Sequence, residues 1–153
     1  MMWTGPFILC VDDDPATRDA FASWAEVLAL PAETFATAES AASRLGRGDV
    51  GVLLTDSMRR AGMSGLQLLE HARVVSPETL LVSVSGRVDD EYQAAAAKLA
   101  HHVVGKPWQS SQMEQIIRSG PSLADLAYSA AVRVSREIDK SIERMAHGRE
   151  RRA

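Results

Sequence analysis

The sequence predicts an α/β domain, a parallel sheet of five strands with helices on both faces. Three observations predict it. Five short apolar runs alternate with five segments of helical periodicity, the order that builds strand–helix–strand units. The strongest runs are nearly continuous in apolar residues, as strands covered on both faces are. Four of the five end on a residue able to do chemistry. The stretch Val50-Gly51-Val52-Leu53-Leu54-Thr55-Asp56 shows the pattern best: a buried strand with a carboxylate at its carboxyl end. Open α/β sheets bind ligands at that edge.

Phe7-Ile8-Leu9-Cys10-Val11 is the first strand, and Asp12-Asp13-Asp14 follows it. Asp14-Pro15 reads as a helix cap followed by proline in the first helical position. Ala16, Phe21, Trp24, Ala25 and Leu28 then give that helix its core face, and Leu30-Pro31 ends it. Glu33 to Ala36 is a short strand, and Glu39 to Leu45 a short helix stopped by Gly46. The strand ending at Asp56 comes next. A loop from Ser57 to Ser64 leads into a helix whose core contacts are Leu66, Leu68, Leu69, Ala72 and Val75. Leu80 to Val84 is the fourth strand and ends at Ser85-Gly86. Asp89 to Ala100 is an alanine-rich helix with a negative start. His102-Val103-Val104 is the fifth strand and ends at Lys106-Pro107, before a helix from Ser111 to Arg118.

The 153 residues, 46% hydrophobic and 24% charged, suit one soluble domain with a proper core, residues 1–119, and a helical extension, residues 120–153. No apolar run approaches the ~20 residues of a membrane span. The amino terminus lacks the basic flank and apolar core of a signal peptide, and the single Cys10 reads as a small buried hydrophobe. These features point to the cytoplasm. Net charge is −5 up to residue 119 and +2 beyond it, too weak a basic bias for direct nucleic-acid binding. The four histidines have no metal-ligand spacing with Cys10.

The strand ends bring Asp12, Asp13, Asp56, Ser85 and Lys106 to one edge of one sheet. Clustered carboxylates repel and call for a cation. Mg²⁺ suits them, being a hard ion that takes carboxylates and accepts phosphate oxygens. A carboxylate beside that ion can attack phosphorus, with lysine neutralising charge on the transferring group.

The pieces Ile8 to Pro15, Leu53 to Asp56, Gly62-Met63-Ser64-Gly65, Val84-Ser85-Gly86 and Gly105-Lys106-Pro107, taken in order, resemble a receiver domain of the two-component response regulators, a single receiver of the chemotaxis type. The resemblance covers roughly residues 6–119. It implies a flavodoxin-like, doubly wound sheet of order 2-1-3-4-5. It implies that Asp56 is the phosphoacceptor for a phosphohistidine on a sensor histidine kinase or phosphotransfer protein. Asp12, Asp13, Asp56 and the backbone carbonyl of Met58 would hold Mg²⁺, Ser85 would be the switch hydroxyl, and Lys106 the phosphate-binding cation, with a cis Lys106-Pro107 bond. Such a domain is no enzyme in its own right and assists only its own phosphorylation and dephosphorylation.

The sequence departs from the family pattern in three places. The loop after Asp56 is one residue longer than usual, lacks proline, and carries Arg59 and Arg60. Val103 stands where the fifth strand usually has an aromatic residue. Arg87, with Met58, flanks the path of an attacking water. A rival resemblance is to phosphohydrolases of the haloacid-dehalogenase type, whose strand also ends Asp-x-Asp; there Asp12 would be phosphorylated. A pseudo-receiver that binds partners without phosphorylation is a third reading.

In the tail, Pro121 to Asp125 opens a helix with a capping box. Gly120 fits the position just past the preceding helix, where left-handed backbone is common. Leu123, Ala127, Ala130, Val134, Ile138, Ile142 and Met145 recur about every 3.67 residues, an 11-residue period. Arg133, Arg136, Glu137, Asp139, Lys140 and Arg144 lie off that stripe. The stripe predicts a homodimer through this helix.

Overall fold

The computed structural model describes residues 3–58, 61–86 and 90–152. In chain order the elements are β1 (Ile8–Val11), α1 (Pro15–Val27), β2 (Ala32–Phe35), α2 (Ala38–Leu45), β3 (Val52–Thr55), α3 (Gly65–Val75), β4 (Leu80–Ser85), α4 (Asp90–Leu99), β5 (His102–Gly105), α5 (Ser110–Arg118) and α6 (Leu123–Arg152). The strands form one parallel sheet of order β2-β1-β3-β4-β5, the expected flavodoxin-like winding.

Register aligns the strand ends. Val11 pairs with Thr55, Thr55 with Ser83, and Ser85 with Gly105. Residues just past these positions therefore emerge together. Side chains alternate across each strand, so the sheet has two cores. Ile8, Cys10, Val52, Leu54, Val82, Val84 and Val104 pack against Phe21 and Ala25 of α1 and Met113 and Ile117 of α5. Leu9, Val11, Leu53 and Leu81 pack against Ala38, Ala41 and Leu45 of α2 and Leu68, Leu69 and Ala72 of α3. β1 and β3 are buried along their whole length, as their unbroken apolar runs require.

The helix ends follow local chemistry. Asp14 caps α1, accepting from Ala16 N–H at 3.2 Å and from the Thr17 hydroxyl at 2.8 Å. Ser64 and Gln67 form a capping box on α3, and Ser122 and Asp125 form one on α6.

Some expectations shift. Ala16 is exposed, because α1 begins beyond the strand ends, and Val75 is 42% exposed in the last turn of α3. Gly120 does follow the C-cap Ser119 of α5, as expected, and glycine is needed there because a Cβ would strike Val52 Cγ2. Asp89, the expected start of the fourth helix, lies outside the described residues, as do Arg59, Arg60 and Arg87. Helix α6 passes through Gly148 and runs 30 residues, about 45 Å at 1.5 Å per residue. Among the described residues, no helix is long and apolar enough to cross a membrane.

Candidate functional site

Asp12 and Asp13 follow β1, and Asp56 follows β3. One oxygen from each of these carboxylates lies within 4.8 Å of the others. The Lys106 ammonium, just past β5, reaches over them to Asp12 Oδ2 at 2.6 Å and Asp56 Oδ1 at 2.9 Å. The Asp12 side chain is 5% exposed and that of Asp56 14%. Two nearly buried anions so close need a counter-charge, and Lys106 supplies it. Burial works against the ammonium, yet its bonds to Asp12 and Asp56 outweigh that and raise its pKa.

Asp12 is held from several directions. Its Oδ1 accepts from Asp14 N–H at 2.9 Å, and Arg18 Nη1 donates to its carbonyl at 2.8 Å. Asp56 is set by the backbone: its N–H donates to the Val11 carbonyl at 2.9 Å, extending the β1–β3 ladder one residue. Its Oδ2 accepts from Met58 N–H at 3.2 Å.

Met58 has φ +51°, a left-handed conformation costing about 1–2 kcal/mol in a non-glycine residue. Its side chain, 7% exposed, packs into the α2/α3 core and offsets that cost. The loop is closed at its far end too. Gly65 N–H donates to the Ser57 carbonyl at 2.9 Å, and a Cβ on Gly65 would fall on the Asp56 carbonyl oxygen. Only glycine lets α3 start so near the acidic cluster.

Ser85 enters differently. It is 2% exposed at the end of β4, and its carbonyl accepts from Lys106 N–H at 2.9 Å. Val82 and Val84 face the α1/α5 core, so alternation turns the Ser83 and Ser85 side chains to the other face. Asp12, Asp56 and Lys106 thus meet through their side chains, while Ser85 joins them through the backbone. The Lys106-Pro107 bond is cis, as the resemblance implied.

A cavity of about 420 Å³ opens beside the cluster. Asp12, Asp56 and Lys106 stand on its rim, and Cys10, Phe21, Leu54 and Trp108 line its apolar side. Burial first, and Asp12 next, push the Cys10 thiol up to about 12, so it stays neutral and packs as a hydrophobe.

The donor set is entirely oxygen and includes three carboxylates. That chemistry fits a hard divalent cation, Mg²⁺ included. Asp12, Asp13 and Asp56 are the residues that would hold it.

Two contributors had no local signature in the sequence. Arg18, six residues past Asp12, reaches back to its carbonyl. Glu39 Oε1 at the start of α2 accepts from Met63 N–H at 2.6 Å and ties the loop after Asp56 to α2. Both contacts join separate elements, and only the folded arrangement reveals them.

The comparisons with known proteins agree with this fold. The chain is 26% identical over 118 residues to the C4-dicarboxylate transport transcriptional regulatory protein DctD of Rhizobium meliloti (strain 1021). That match covers 76% of the chain, which spans about a quarter of that relative's length (25%). A response regulator receiver protein from Pseudomonas putida superposes with a TM-score of 0.67 at 24% identity, covering 76% of this chain and 98% of that one. A CheY-like receiver domain protein from Methanospirillum hungatei JF-1 gives 0.68 at 24% identity, over 81% and 98%. At that identity the likeness is one of fold. The family model for the response regulator receiver domain matches residues 8–118, and the chain belongs to that family.

Proposed function

We propose that residues 1–119 are a phosphoacceptor receiver in which Asp56 takes a phosphoryl group from a phosphohistidine. The donor is a sensor histidine kinase or a histidine phosphotransfer protein. The observation that carries this reading is Lys106 bridging Asp56 and Asp12 at the carboxyl edge of the sheet. An Asp56 carboxylate oxygen forms the bond to phosphorus as the donor's phosphorus–nitrogen bond breaks. The electron pair returns to the imidazole, which takes up a proton. Lys106 moves with the charge, from pairing Asp56 to pairing a phosphoryl oxygen.

Mg²⁺ bound to Asp12, Asp13, Asp56 and the Met58 carbonyl would neutralise the phosphoryl oxygens. Asp12, gripped by Arg18 and the Asp14 N–H, holds its place while Asp56 reacts. The domain has no turnover on a separate substrate in this reading. It acts in the cytoplasm, without direct nucleic-acid contact, and residues 120–153 join two copies through α6. Family membership weighs against the phosphohydrolase reading, in which Asp12 would be the nucleophile.

The test is phosphate incorporation from a small acyl-phosphate donor. The wild type should be labelled in Mg²⁺, and Asp56→Asn should not be labelled while keeping its fold. Labelling that persists in Asp56→Asn assigns the nucleophile elsewhere.

A further inference from the structure

The cavity beside the acidic cluster has fixed walls and an unfilled middle. Its floor is the α1/α5 face of the sheet at the carboxyl end. Ile8, Val52 and Val82 on that face are 0% exposed, whereas Cys10 and Val84, each two residues further along its strand, keep 7%. One wall is α1, which brings Ala16 and Ala20 to the opening, four residues apart and so on one side of the helix. Both are exposed, and neither is large enough to fill the space. The other wall is Trp108, which is held in place. Its ring meets Trp24 edge-on at 4.9 Å between centroids, and Trp24 Nε1 donates to Ser110 Oγ at 2.7 Å. Trp24 lies one turn beyond Ala20, so the walls are joined at the bottom and stay apart above.

About 420 Å³ lies between them. That is within the ~300–1,000 Å³ of small-molecule sites, which combine apolar walls with a few convergent polar groups. The charged groups here all stand at one end. Asp12 and Asp56 bring two carboxylates against the single Lys106 ammonium, and an oxygen of Asp13 lies within 4.8 Å of theirs. Their acceptor capacity is not used up. Each of the two carboxylates accepts from Lys106 and from one backbone N–H, of Asp14 or of Met58, and a carboxylate offers about four lone-pair sites. An anionic head entering there would meet surplus negative charge, and a cationic one would offset it.

We propose that this cavity binds a small organic cation, its one- or two-ring body between Ala20 and Trp108 and its ammonium or amidinium on Asp12 and Asp56. Such an occupant takes carboxylate oxygens that Mg²⁺ would use, so each weakens the other's binding and the occupant holds back phosphorylation of Asp56. That consequence rests on the Mg²⁺ reading above, and the binding itself does not.

The test uses the full chain with 2-phenylethylammonium as the probe. Without Mg²⁺, millimolar probe should raise the melting temperature, and phenylacetate, of similar size and opposite charge, should not. Ala20→Phe fills the gap from α1 and should abolish the shift while still melting cooperatively. Ala16→Phe, one turn earlier, should do the same. A nuclear Overhauser contact between the probe ring and Trp108 checks the placement without any substitution. Saturating Mg²⁺ should weaken probe binding severalfold. A melt unmoved by the probe overturns the site, as does a shift retained in both variants or a missing contact to Trp108. Phenylacetate that binds as well as the cation overturns the charge assignment. Mg²⁺ that raises the melt yet leaves probe binding unchanged overturns the competition. Mg²⁺ that does neither overturns the metal reading as well, and loss of the probe's shift in the two variants then still upholds the cavity.

Discussion

The Lys106 ammonium lies 2.6 Å from Asp12 Oδ2, and Asp12 is 3% exposed. Removing Lys106 therefore strands a nearly buried carboxylate. Lys106→Met should cost about 1–3 kcal/mol at pH 7 without Mg²⁺, measured by denaturant unfolding. The pH dependence has a definite sign. The folded pKa of Lys106 is raised above the usual 10.5, so its contribution is complete below that value and fades as pH rises through the folded pKa. Wild type and variant should converge above pH 10.5. A gap that fails to narrow at any pH above 10.5 would show that its source is not the charged pair.

Lys106 offsets only part of the negative charge, since three carboxylates share the site. Mg²⁺ should raise the melting temperature, by about 2.7 kcal/mol of stability at a hundredfold excess over its dissociation constant. Asp13→Ala should lose most of that increase. It removes one of the three carboxylates but neither partner of Lys106. If millimolar Mg²⁺ leaves the wild-type melt unchanged, the carboxylates do not form a divalent site.

The legible parts of the fold and the site are those that local sequence dictates. β1 and β3 lie in the middle of the sheet, and their unbroken apolar runs could be placed directly. Strand ends then located Asp12, Asp56 and Lys106, because parallel strands must all end on one edge. The edge strands were less legible. β2 is only half-buried along its length, and β5 buries Val104 alone, so neither carries a full apolar run. Ala16 and Val75 fit the helical period but fall at helix ends, where the core no longer reaches. Arg18 and Glu39 were silent because their acceptor and donor are backbone groups, which every residue has.

The Glu39 contact yields a test of loop position. Its carboxylate accepts the Met63 N–H at 2.6 Å, and that bond holds its pKa below the usual value. A lowered carboxylate pKa means the contribution is present above the ordinary value of 4.5 and is lost as pH falls through the folded pKa. At pH 7 the tie is intact. Glu39→Ala should free the loop that carries Met58 and raise the Mg²⁺ concentration for half-maximal thermal stabilisation severalfold. Glu39→Gln keeps an acceptor oxygen and should restore most of the affinity. Equal Mg²⁺ titrations for all three proteins would separate this contact from the metal site.

The last prediction concerns how phosphate at Asp56 would be felt elsewhere. Ser83 and Ser85 face the side of the sheet opposite the α1/α5 core. Among the described residues the buried Ser83 hydroxyl has no hydrogen-bond partner, and α4 buries only Tyr92 and Ala96. Val103, in register with Ser83 on β5, is 40% exposed. Helix α4 and strand β5 thus have few buried side chains, as elements that move tend to have. A phosphoryl group drawing the Ser85 hydroxyl toward Asp56 would pull the end of β4 and shift α4. Val103 has no ring to swing, so strand and helix backbone would carry the change. Ser85→Ala should accept phosphate to the same extent as wild type yet lose the accompanying change in amide hydrogen exchange over α4. Ser85→Thr, which keeps the hydroxyl, should retain it. An unaltered exchange response in Ser85→Ala would remove the hydroxyl from the switch.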